Sequence, residues 1–129
     1  MDYNLQIGMS HVAEKHVADA DSAATLGSGT LAVFATPAMI LLMELAARNA
    51  VQDVLPQGAT TVGTLVNVQH LAATPVGAKV SATATLTAID GRKLTFEVEA
   101  ADENGVIGKG THERAVIDIQ RFMSKLIKE

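Results

Sequence analysis

Cysteine and tryptophan are both missing from this chain of 129 residues, which has one tyrosine and three phenylalanines. Without cysteine there is no disulfide, no thiolate metal site and no Cys nucleophile. So few aromatic rings leave little on which to stack bases. Basic residues are also short: ten Lys plus Arg stand against fourteen Asp plus Glu, a net charge of −4. A nucleic-acid module would show a basic stripe instead. No apolar run approaches the roughly 18–20 residues of a membrane helix. The opening MDYNLQIGMS has neither the basic n-region nor the apolar h-region of a signal peptide. These absences set the expectation of a soluble, cytoplasmic protein with neither nucleic acid nor membrane as partner.

What is present is an ordinary globular balance, 48% hydrophobic and 19% charged residues. That composition suits one folded domain over residues 1–129, near the size at which pairing with a second copy helps to complete a core. The first half carries one helix signal. Thr36 precedes Pro37, which suits the first helical position, and Thr is an acceptable N-cap. The apolar run ends at Val54–Leu55 before Pro56-Gln57-Gly58, predicting a helix of about 17 residues, apolar on most sides and so internal.

The second half alternates with period two. Val80, Ala82, Ala84, Leu86 and Ala88 alternate with Ser81, Thr83, Thr85 and Thr87, then Leu94, Phe96, Val98 and Ala100 with Thr95, Glu97 and Glu99. Asp90-Gly91 and Asn104-Gly105 mark the turns, and Val106–Ile119 follows, with Gly108 and Gly110 suited to close backbone approach. Thr60–Ala73 reads as a further strand and Met9–Ala18 as a weaker first one. One strand, a long helix and four strands predict an α+β hotdog fold, an antiparallel sheet wrapped around one central helix. Such a sheet commonly pairs edge to edge with a second copy, which makes a homodimer the expectation.

Glu44 is the anomaly. Every other residue from Ala38 to Ala47 is apolar, and a buried carboxylate is costly unless something compensates it. It reads either as a satisfied structural group or as a general base or nucleophile. Thr36 alone reads as a helix cap, but a helix start also gathers free N–H groups where an oxyanion can be held. His70 stands near the end of a predicted strand, with Glu44 available as a partner. Helical rise separates Thr36 from Glu44 by about 12 Å, so the two cannot meet one carbonyl from the same straight helix. Assembly across a dimer removes that difficulty. His11 and His16 point to opposite faces of a strand, and His112 shares a face with Arg114. No zinc-ligand spacing and no glycine-rich phosphate loop is present.

Four blocks, ATPAMILLMELA, VGTLVNVQHLAATPVGAKV, DGRKLTFEVEA and GKGTHERAVID, resemble the fluoroacetyl-CoA thioesterase-like branch of the hotdog thioesterases. They run in that family's order, with its spacing of eight residues from Thr36 to Glu44 and twenty-six from Glu44 to His70. The resemblance implies hydrolysis of a short-chain acyl-CoA, with Thr36, Glu44 and His70 catalytic, Gly63 beside the acyl group and Arg114 lining the site. It implies no separate cofactor or metal, CoA being part of the substrate. Fluoroacetyl-selective members carry aromatic residues shortly before the Thr. Here ATLGSGTLAV has none until Phe34, so general short acyl-CoA hydrolysis is the expectation. Two rivals are an acyl-thioester dehydratase or hydratase, in which Thr36 has no task, and a non-catalytic acyl-CoA binding module, which needs no carboxylate base.

Overall fold

The computed structural model describes residues 3–127. Strand β1 (Ser10–His16) is followed by a connection carrying one short helix, α1 (Ala23–Leu26), and then by the long helix α2 (Thr36–Val51). Four strands succeed it: β2 (Ala59–His70), β3 (Lys79–Asp90), β4 (Lys93–Asp102) and β5 (Gly105–Asp118), with a terminal helix α3 (Ile119–Leu126). All strand pairs are antiparallel, in the order β1-β3-β4-β5-β2. The two edges are therefore β1 and β2. Among the described residues no helix is long and apolar enough to cross a membrane.

Period-two alternation does what the sequence requires of it. Val80, Ala82, Ala84 and Leu86 of β3 and Leu94, Phe96, Val98 and Ala100 of β4 are all buried. They face α2, whose Met39, Leu42, Met43, Ala46 and Ala47 complete the core. The many alanines at this seam let helix and sheet approach closely. Gly108 of β5 has the same effect, since a Cβ there would stand 2.5 Å from Sδ of Met39. A Cβ at Gly110 would strike the Asn67 and Val68 backbone of β2.

The predicted helix of about 17 residues is α2, 16 residues long, continued directly by a 3-10 turn over Gln52–Val54. Two expectations need correction. Thr36 is not the N-cap: Ala35 occupies that position without a side-chain cap hydrogen bond, and Thr36 and Pro37 are the first two helical residues. The helix is also not internal on all sides. Leu41 is 66% exposed in the single chain, and Leu45 beside it is exposed too, because α2 leans on β1 and β3 far more than on β2.

Candidate active site

The start of α2 and the end of β2 meet at one contact. The Thr36 hydroxyl lies 2.7 Å from Nδ1 of His70, across 34 residues of sequence. Phe34 fixes the approach: it is buried, bridges Ser22, and its N–H donates to the Thr74 carbonyl. Thr36 itself is exposed, at the helix end where free N–H groups gather. Nε2 of His70 is buried with no hydrogen-bond partner among the described residues. Burial holds this imidazole below its ordinary pKa, with the Ala72 backbone opposing.

Two turns along α2, Glu44 forms the second cluster. Its Oε2 lies 3.7 Å from Nη1 of Arg114. The Glu44 side chain is 38% exposed in the single chain, so the burial expected from the apolar run is not found, and its partner is Arg114 rather than His70. Arg114 is held from three directions. Its Nε donates to Thr61 Oγ1 at 2.7 Å, its Nη2 to the Thr61 carbonyl at 3.0 Å, and its Nη1 to Nε2 of His112 at 3.2 Å. Burial lowers the guanidinium's pKa and Glu44 opposes the shift.

Gly63 stands directly against this carboxylate. A Cβ at Gly63 would come within 2.7 Å of Glu44 Oε2 and 3.3 Å of His112 Cε1. Gly63 pairs with Arg114 in register, and His70 pairs with Gly108. Gly63 and His70 lie an odd number of positions apart, so an unbroken strand would point them to opposite faces. The register shifts between Gly63 and Leu65. Thr64 is thereby an extra residue, a bulge of the kind that re-aims side chains. It brings Thr61 and Gly63 onto the same inner face as Val66, Val68 and His70.

The five sequence-selected residues thus fall into two groups, Thr36 with His70 and Glu44 with Gly63 and Arg114. Along α2 the groups stand about 12 Å apart. Reasoning from sequence passed over His112 and Thr61, both buried and both on Arg114. Their signal was phase, since His112 alternates with Arg114 on one strand face. Among the described residues no group of three or more His, Cys, Asp or Glu is arranged to hold a metal ion.

Residues 14–120 match the sequence pattern of the family described as fluoroacetyl-CoA-specific thioesterase. The chain is 46% identical over 94 residues to the fluoroacetyl-CoA thioesterase of Streptantibioticus cattleyicolor, covering 73% of this chain and 68% of that protein. The solved structure of the fluoroacetyl-CoA thioesterase FlK superposes with a TM-score of 0.89 at 36% identity, over 95% of each chain. A Thr-to-Ser mutant of FlK in complex with acetyl-CoA gives 0.89 at 35% identity, over 95% of this chain and 96% of that one. A hot-dog-like protein from Thermanaerovibrio acidaminovorans, at 24% identity and 0.88 over 98% and 95%, supports the fold alone. The hotdog architecture, the matched span and these identities place the chain in the fluoroacetyl-CoA-specific thioesterase family, as a thioester hydrolase.

Proposed function

We propose that the protein hydrolyses a short-chain acyl-CoA to the free acid and CoA, as a cytoplasmic homodimer using Thr36, Glu44 and His70 as catalytic residues. The observation that carries this reading is the Thr36–His70 hydrogen bond at the open start of α2. A thioester carbonyl seated there meets first-turn N–H groups and the Thr36 hydroxyl, donors for the oxyanion. Glu44 acts as general base on water. Its carboxylate has a fixed cation on one side and, being partly exposed, room for water on the other. Water oxygen bonds to the carbonyl carbon, the C–S bond breaks, and the proton passes to the departing thiolate through His70. The residues themselves supply all of this chemistry, with CoA entering as part of the substrate.

The separation of the two clusters favours a site shared between copies. Residue 40 is midway between Thr36 and Glu44. A two-fold axis crossing α2 near it lays two such helices side by side and antiparallel, with Thr36 of one opposite Glu44 of the partner subunit. The exposed Leu41 and Leu45 on α2, and Leu65 and Val66 on the edge strand β2, are the apolar surface such pairing covers. Thiol release from a panel of acyl-CoAs, acetyl to hexanoyl and fluoroacetyl, tests the reading. Release by the wild type with loss in Glu44→Gln supports it; binding without release from any of them refutes it.

A further inference from the structure

His112 is 1% exposed and packs against Phe96, ring centroids 6.3 Å apart. An apolar side chain would fill that space without the cost of burying two polar nitrogens. Both nitrogens are nevertheless engaged. Nδ1 stands 2.8 Å from the carbonyl of Leu65, a group that only accepts, so Nδ1 carries the proton. Nε2 stands 3.2 Å from Nη1 of Arg114, a group that only donates, so Nε2 offers its lone pair. The two contacts independently require the same neutral tautomer. They also link the residue just past the β2 bulge to the guanidinium that pairs with Glu44.

We infer that His112 is a positioning residue, holding Arg114 and through it the Glu44 carboxylate in one geometry; this rests on the function proposed above. Nη1 is the atom shared between His112 and Glu44. Thr61 holds the other two nitrogens, so the rigid guanidinium plane can still tilt about the line joining them, a motion that swings Nη1 and that the His112 contact opposes. The Arg114 ion pair is the one polar contact of Glu44 among the described residues. An unsecured Nη1 therefore frees the carboxylate as well. Small displacements of a positioned group cost up to about 100-fold in rate.

Three variants and one spectrum test this. His112→Gln keeps a donor and an acceptor and is expected to retain kcat within about threefold, whereas His112→Leu loses on the order of 10–100-fold in kcat with KM little changed. His112→Phe, which keeps a planar ring in the same space and removes both nitrogens, is expected to lower kcat in the same direction. It decides the matter should His112→Leu fail to fold. Wild-type kcat in His112→Leu, or in His112→Phe, overturns the inference, and so does a His112→Gln variant as slow as His112→Leu. The 15N spectrum of the wild-type imidazole is read separately. The neutral Nδ1–H form is required, and an Nε2–H or doubly protonated ring overturns the inference. A wild type that releases no thiol sinks the thioesterase reading alone, since the spectrum still decides what His112 holds.

Discussion

The Thr36 hydroxyl meets Nδ1 of His70 at 2.7 Å, so the first residue of α2 engages the far end of β2 and not its own helix. A cap role and this role predict different rescues. Asp is at least as good an N-cap as Thr but has no hydroxyl to share with an imidazole. Thr36→Ser is expected to keep most of the turnover, and Thr36→Asp and Thr36→Ala to lose on the order of 10-fold or more with little change in melting temperature. Restored turnover in Thr36→Asp would return the residue to a capping role.

Glu44→Gln keeps the shape of the side chain and removes its basicity. Arg114 keeps its hydrogen bonds to Thr61 and His112, so the variant is expected to fold and melt close to wild type. Turnover should fall by about 100-fold to 10,000-fold, the range for a lost general base. Near-native steady-state thiol release by Glu44→Gln would make the carboxylate structural.

Gly63→Ala is a sharper probe than its size suggests. The new methyl would meet Glu44 Oε2 at 2.7 Å and His112 Cε1 at 3.3 Å, while the β2–β5 pairing stays intact. The carboxylate is the mobile party and is expected to yield, with kcat falling on the order of 10-fold or more and the circular dichroism spectrum unchanged. Unaltered kcat would show that Glu44 does its work elsewhere.

Acid should loosen this fold in a defined window. Burial lowers the pKa of both His70 and His112 from 6.5, so the unfolded chain binds protons more readily than the folded one. Their contribution is complete above about pH 6.5 and is lost as the pH falls toward the lower folded values. Melting temperature is expected to drop as the buffer goes from pH 7 to 5, less steeply in His112→Gln. Identical slopes for the two proteins would contradict it.

Mixing two impaired variants tests the shared site. If Thr36 of one copy serves Glu44 of the partner subunit, a Thr36→Ala and Glu44→Gln heterodimer holds one intact site and one doubly defective site. Refolding an equal mixture should then restore about a quarter of wild-type turnover. Sites built within single chains would gain nothing on mixing.

Much of this was legible in the sequence because β3 and β4 bury one face each, and alternation reports that directly. Glu44 was misjudged for a related reason: an apolar run shows what could be buried, not which side of α2 the sheet covers. Leu41 and Leu45 are as apolar as Leu42, yet α2's lean toward β1 and β3 leaves them exposed. Thr36 and Pro37 imitate a capped start, and only the arrival of His70 from 34 residues away shows where the hydroxyl goes. His112 was passed over because alternation places it on one face with Arg114 but does not show that its ring reaches the guanidinium.

The extra residue at Thr64 gives β2 two reading frames. Odd-numbered positions face the helix before it and even-numbered ones after it, as the pairings of Gly63 with Arg114 and His70 with Gly108 record. Among relatives, a gap of one residue between these positions exchanges inside for outside over half a strand, while a gap of two preserves the facing and only shortens the reach. An alignment that slides one residue across Thr64 thus still looks hydrophobic, yet it assigns the histidine's place to a side chain on the outer face.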